Sequence, residues 1–262
     1  MKKEKYTFED LKVIMEKLRS PEGCPWDREQ THESLKRHML EETYEALEAI
    51  EAGDDEMMKE ELGDVLLQIV FHGQIAKEDN RFNTDDIVDG ISRKLIERHT
   101  HVFGEDIAED PEAVLKNWDK IKNKSKGFDS HTEKINAIPK TYPALLRSLK
   151  VQEKAAKAGF DWNEVDGAIE KTMEEIGEFT EACRSKDSDS IRAEMGDLLF
   201  SLVNVCRFMD IEPETTLQET TDRFTKRFSF IEKSVRKEGH EMEDLTLEEL
   251  DLYWDKAKEK GL

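Results

Sequence analysis

The 262-residue chain is short of cysteine, proline, glycine, positive charge and long apolar runs. Its three cysteines, Cys24, Cys183 and Cys206, form an odd and widely spread set. That excludes a disulfide framework and a four-thiolate zinc site, and leaves reduced, partly buried thiols. With only 13 glycines and 6 prolines, and few stretches that alternate apolar with polar residues, the pattern is that of an all-α protein. No stretch approaches the roughly 18 apolar residues of a membrane span. The start, Met1-Lys2-Lys3-Glu4-Lys5, has no apolar signal core behind it, so no membrane association is expected and the cytoplasm is the expected compartment. The 40 Lys+Arg set against 61 Asp+Glu give a net charge of −21 and a pI near 4.8. Nucleic-acid binding needs clustered positive charge that displaces counterions, so it is not expected. GxxxxGK[ST] and GxGxxG phosphate cradles are also missing, as are nucleophile constellations built on Ser, Cys or Lys. Any phosphate chemistry must then rest on a metal, side chains and activated water.

What remains is 37% hydrophobic and 39% charged, the balance of a helix-rich globular protein whose apolar residues recur in stripes. Helix starts fall near Thr7, Thr31 and Thr84 and at Asp110-Pro111, with stops near Gly53 and Gly159. The last helix opens with a Thr246/Glu249 capping box. The stretch around Lys126-Gly127-Phe128-Asp129-Ser130, followed by two prolines, reads as a linker. The expected organisation is a domain over residues 1–122, a linker over 123–143 and a second domain over 144–262.

The two halves repeat each other. Glu41-Glu42-Thr43-Tyr44-Glu45, followed after a turn by Glu61-Leu62-Gly63-Asp64, corresponds to Glu174-Glu175-Ile176-Gly177-Glu178 and Glu194-Met195-Gly196-Asp197. Position 174 follows 41, and 197 follows 64, by the same 133 positions. A single EExxE in so acidic a chain could be a solvated helix face; two copies in register, each trailed by ExxD and an apolar run, are hard to obtain that way. At about 100° per residue, Glu41, Glu42 and Glu45 share one arc of a helix, and Glu61 and Asp64 share a face of the next. Five carboxylates lining one groove repel and raise one another's pKa unless a cation neutralises them. Ligation by oxygen alone suits Mg²⁺ or Mn²⁺ rather than Zn²⁺. A di-iron bundle would need Glu-x-x-His, which neither motif contains. Mg²⁺ held this way completes its shell with water and substrate phosphates, so a nucleotide or phosphate ester is the expected ligand.

Cationic and aromatic groups follow each acidic pair. Lys94 and Arg98 are spaced i and i+4, as are Arg223 and Arg227, and Trp118-x-x-x-Lys122 is matched by Trp254-x-x-x-Lys258. These are the expected phosphate- and base-contacting residues. The apolar runs Val65, Leu66, Leu67, Ile69, Val70 and Leu198, Leu199, Phe200, Leu202, Val203 wrap around more than one helix face. The bundles are therefore expected to be completed by a second subunit, in a homodimer, or else by a bundle between the two domains of one chain.

The EExxE and ExxD motifs, in Glu61–His72 (ELGDVLLQIVFH) and Glu194–Val205 (EMGDLLFSLVNV), resemble those of the MazG-type nucleoside triphosphate pyrophosphohydrolases. So do the segment from Cys24-Pro25-Trp26-Asp27 to Gln30-Thr31-His32, the segment His101-Val102-Phe103-Gly104, and Gly159-Phe160-Asp161-Trp162. The resemblance covers nearly the whole chain and is to the two-domain members. It implies tandem all-α domains and Mg²⁺-dependent cleavage between the α- and β-phosphates of a nucleoside triphosphate, giving a monophosphate and pyrophosphate. It places metal ligands at Glu41, Glu42, Glu45, Glu61 and Asp64 and at Glu174, Glu175, Glu178, Glu194 and Asp197. It places substrate contacts at Arg223, Arg227, Trp254 and Lys258. The glutamates of the EExxE motifs, Glu42 and Glu45 or Glu175 and Glu178, are the expected acceptors of the water's proton. The denser cations Arg223, Lys226 and Arg227 favour the second half as the working one. The competing expectation is a helical scaffold that binds a divalent cation without turnover.

Overall fold

A computed structural model describes residues 3–104, 110, 111, 114, 117, 118, 121 and 127–262. The chain divides into two compact units, Met1–Lys126 and Gly127–Leu262. All regular elements among the described residues are helices, and none of these helices is long and apolar enough to cross a membrane.

The first unit comprises α1 (Phe8–Leu18), α2 (Pro25–Glu29), α3 (Leu35–Ala52), α4 (Asp55–Glu78), α5 (Thr84–Arg98) and α6 (Thr100–Phe103). Thr7 and Asp10 form a capping box that starts α1, and Asn83 and Asp86 start α5 in the same way. Gly53 ends α3 at φ 65°, the left-handed conformation a glycine adopts without a Cβ clash. Asp54 then caps α4, so the two long helices return alongside each other. Met15, Leu35, Val70, Phe71 and Ile75 form the core between α1, α3 and α4. Arg19, its side chain only 6% exposed, stacks on Phe71 at 5.4 Å and donates to both oxygens of Glu78, fastening the end of α1 to α4.

The second unit comprises α7 (His131–Asn136), α8 (Ala144–Ala156), α9 (Val165–Ser185), α10 (Ser188–Phe208), α11 (Pro213–Lys237), a 3₁₀ turn (Met242–Asp244) and α12 (Leu247–Glu259). The stretch expected as a linker holds α7 and the buried Ile138 within its described part. The α9–α10 turn copies that of the first unit, with Lys186 at φ 58° standing 133 positions after Gly53. Here α8 packs on α10 and α11, and α11 on α12. Ile231, Val235 and Tyr253 are buried between α11 and α12, with Trp254 packed against them. The capping box at Thr246 and Glu249 starts α12 as the sequence implies. Of the two apolar runs, Val70 and Val203 are buried, whereas Leu66, Leu199, Phe200 and Leu202 stay more than a third exposed.

Candidate functional site

In the first unit the antiparallel return of α4 brings Glu61 opposite Glu42 and Glu45 of α3. One carboxylate oxygen of each lies within 4.8 Å of the others. In the second unit Glu175, Glu194 and Asp197 meet within the same limit. The remaining members of the register stand close by. Asp64 raises the proton affinity of Glu42 and Glu61, and Glu178 feels Glu175 and Glu194. Partial loss of solvent, and after it these like charges, hold the carboxyls of Glu42, Glu61 and Glu178 above the usual carboxylate range.

Glu41 and Glu174 border the clusters, Glu41 acting on Glu42 and Glu174 on Glu178, but each is paired with a basic side chain of its own helix. Glu41 accepts from Arg37 Nε at 2.6 Å and faces His38, and Glu174 is paired with Lys171 at 2.9 Å. The arc of α3 that faces α4 is centred between Glu42 and Glu45, about 60° apart. Glu41, about 40° from Glu45 and 100° from Glu42, lies at the edge of that arc, and its carboxylate is taken by Arg37 of its own helix.

Glu175 is the most enclosed of these acids, its side chain 8% exposed. Lys171 Nζ lies 2.8 Å from its Oε1, while its Oε2 is buried with no hydrogen-bond partner. Lys171, held by Glu175 and Glu174, keeps its proton far more tightly than an ordinary lysine. The sequence signal for Lys171 is its place one turn ahead of the acidic pair. A buried oxygen without a partner, among carboxylates within 4.8 Å of one another, fits a hard divalent cation: the three acids offer only oxygens, and the single ammonium of Lys171 offsets part of their charge.

Beside Glu175 and Asp197 the second unit opens into a largely apolar cavity of about 350 Å³. Phe160 and Trp162 line it from the α8–α9 loop, Gln152 from α8, Ala168 from α9, and Phe200 and Asn204 from α10. Arg207 fixes the loop by donating to Asp161 at 2.5 Å, and it also donates to Asn204 Oδ1 at 2.8 Å. The Trp162 ring sits so near α9 that a Cβ on Gly167 would meet it at 2.3 Å, so only glycine fits there. The first unit has no equivalent room at these positions. Leu35 stands 133 positions before Ala168 and Phe71 the same distance before Asn204, and both are buried with Met15 in its core.

The basic and aromatic residues pair within each unit. The Arg227 guanidinium lies over Trp254 at 5.3 Å, and that of Arg98 over Trp118 at 5.5 Å. Arg227 Nε also donates to an oxygen of Leu262 at 2.6 Å, and Arg223 donates to Thr220 at 2.9 Å. Lys258 is paired with Asp255 at 2.7 Å, and Lys94 is exposed. Trp254 further meets Phe224 at 5.3 Å and packs on the buried cluster of α11 and α12. Lys122 lies outside the described residues.

Comparison with known proteins matches the MazG nucleotide pyrophosphohydrolase domain twice, over residues 30–103 and 164–231. The chain is 48% identical over 98% of its length to a Thermotoga maritima protein named nucleoside triphosphate pyrophosphohydrolase/pyrophosphatase MazG, of which it covers 98%. It is 40% identical over 96% of its length to the Escherichia coli nucleoside triphosphate pyrophosphohydrolase, of which it covers 97%. It is also 47% identical over 97% of its length to the uncharacterized protein YabN of Bacillus subtilis, of which it covers 52%.

Proposed function

The chain belongs to the MazG nucleotide pyrophosphohydrolase family, and from that premise we propose that it is a cytoplasmic enzyme that hydrolyses nucleoside triphosphates to monophosphate and pyrophosphate with Mg²⁺, or Mn²⁺, in its second unit. The observation that carries this is the buried, partnerless Oε2 of Glu175 among Glu194 and Asp197, at the edge of a cavity. Glu175, Glu178, Glu194 and Asp197 would hold the cation. When bound, it supplies charge neutralisation for the triphosphate and lowers the pKa of water.

Lys171 holds Glu175 in place through its Oε1, which leaves its Oε2 free for the site. Glu178, drawn to protons by partial burial and by Glu175, takes the proton of the water that attacks the α-phosphorus. The bond to the bridging oxygen breaks, and pyrophosphate leaves with the electron pair. Arg223, Arg227 and Lys258 take up its charge. Trp254, with Arg227 over its ring and Phe224 tilted against it, positions the guanidinium rather than receiving a base.

The first unit keeps its acids, but Leu35 and Phe71 fill the room a nucleoside would need. Its Glu42, Glu45, Glu61 and Asp64 would hold a cation, and Arg98 and Trp118 pair with each other. The exposed Leu199 and Leu202 of α10, with Leu66 of α4, support a homodimer in which a second chain covers them. A monomeric mass in solution would end that part of the proposal.

The test of function replaces Glu42 and Glu175 by Gln separately and follows phosphate products from mixed dNTPs with Mg²⁺. Monophosphate and pyrophosphate, lost only with Glu175→Gln, are the expected result. Equal losses contradict the assignment to the second unit, diphosphate with orthophosphate contradicts the bond, and tight cation binding without products makes the chain a scaffold.

A further inference from the structure

We propose that the turn closing α12, Lys260-Gly261-Leu262, is a positioning element for the hydrolysis: it holds Arg227 in the orientation in which that side chain receives a phosphate. The inference rests on the hydrolase reading above, in which Arg227 takes up charge of the triphosphate, and adds the residues that set Arg227 in place.

An arginine side chain is long, and a ligand that fixes it must offset the rotamer freedom it loses. Arg227 leaves α11 half-buried and is already held at two points. Its guanidinium lies over the Trp254 ring at 5.3 Å, and its Nε donates to the main-chain oxygen of Leu262 at 2.6 Å. The ring limits where the guanidinium lies, and the hydrogen bond sets which of its edges is spent. Nη1 and Nη2 have no hydrogen-bond or ion-pair partner among the described residues. They remain as a two-pronged donor edge, the arrangement that meets two oxygens of one phosphate.

The oxygen that Arg227 uses is placed by the backbone. The N–H of Leu262 donates to the oxygen of Ala257 at 3.2 Å, and the N–H of Gly261 to that of Lys258 at 2.9 Å. This crossed pair closes a helix when the residue after the cap is left-handed, and Gly261 has φ 75°. Ala257 is fully buried, and the Lys260 ammonium lies over Phe230 of α11 at 4.7 Å, so the turn is tied to both helices. A Cβ on Gly261 would meet nothing within 4 Å. Space therefore does not call for glycine there; the left-handed backbone does. Once that conformation is lost, the Leu262 oxygen leaves Arg227 and the side chain is free to wander.

The experiment measures KM and kcat of the full chain with Mg²⁺ on dATP, dCTP, dGTP and dTTP in turn, for Gly261→Asn, Gly261→Ala and Gly261→Val. Asparagine tolerates the left-handed conformation, alanine less so, and a β-branched residue least. KM is expected to stay within about twofold of wild type for asparagine and to climb through alanine to about three- to tenfold for valine, the scale of immobilising one long side chain. A seated triphosphate holds the guanidinium by itself, so kcat is expected to stay within about twofold. In an Arg227→Ala background Gly261→Val is expected to change nothing further, whereas a merely structural defect would lower activity there too. If Gly261→Val misfolds by circular dichroism, Gly261→Ala carries the same comparison. An unchanged KM, a loss that persists without Arg227, or an order that follows side-chain size, with asparagine worse than alanine, overturns the proposal and leaves the hydrolase reading intact. A KM that falls in Gly261→Val also overturns it, because Leu262 would then be competing with phosphate for the guanidinium. No pyrophosphate from any of the four nucleotides with the wild type overturns the hydrolase reading and this proposal together.

Discussion

Removing one charge from the first unit's acidic cluster should stabilise the protein without divalent cations and destabilise it with them. Glu42 shares its site with Glu45 and Glu61 at oxygen separations within 4.8 Å. At that distance a like-charge pair costs about 1 kcal/mol under water-like screening, and three to four times that in a partly desolvated setting. Glu42 is only partly buried, and the side chains can swing apart, so the low end applies. Glu42→Gln should then stabilise the first unit by about 1–2 kcal/mol in excess EDTA. That corresponds to a rise of roughly 3–8 °C in its unfolding midpoint, given the usual entropy of unfolding for a unit of this size. With saturating Mg²⁺ the order inverts. A cation at 100 times its Kd adds about 2.7 kcal/mol to the wild type, and the variant, one ligand short, gains less. Scanning calorimetry in EDTA and in Mg²⁺ reads both signs. A variant less stable than wild type in EDTA, or one that gains as much from Mg²⁺, would refute the idea that these carboxylates are held together at a cost only a cation relieves.

Lys186→Gly should stabilise the second unit by about 0.5–1 kcal/mol, read as a shifted urea midpoint, since Lys186 holds the left-handed conformation that Gly53 holds in the first unit. His72 lies with its Nδ1 2.7 Å from that of His32, and burial first, then the facing imidazole, lower its pKa below the ordinary 6.5. The unfolded chain therefore binds this proton more readily than the folded one. The associated stability is present above pH 6.5 and is lost as pH falls through the lower folded value; urea titrations across that range should show the loss, flattened in His72→Gln. Arg227→Ala should lower kcat/KM for dNTPs roughly 10–150-fold, the worth of a hydrogen bond to a charged group of about 1.5–3 kcal/mol, and a change below twofold would remove Arg227 from the phosphate site.

The all-α class and the repeat were legible because scarce glycine and proline, helical periodicity and one fixed offset are properties of the sequence alone. Of the acids that the register singles out, Glu42, Glu45 and Glu61 come together, as do Glu175, Glu194 and Asp197. Glu41 pairs with Arg37 and Glu174 with Lys171 on their own helices, a partnering that spacing alone does not specify. The cavity left no comparable trace. It exists because Ala168 is small where Leu35 is large, and because Asn204 stands where Phe71 packs, and a void between three helices has no period. Trp254 suggested a stacking platform from its spacing to Lys258, whereas Arg227 and Phe224 already lie against its ring. Lys171 shows the same limit, since a lysine one turn before two glutamates is commonplace until one of those glutamates proves to be buried.

The duplication has preserved charge in both copies and room in one. Depriving the protein of magnesium should therefore loosen both halves, whereas adding nucleoside should steady only the second. On the proposed assignment the ion and the nucleoside would bind in unequal numbers, two receptive basins for one and a single berth for the other, and the first half would register how much magnesium is present while taking no part in turnover.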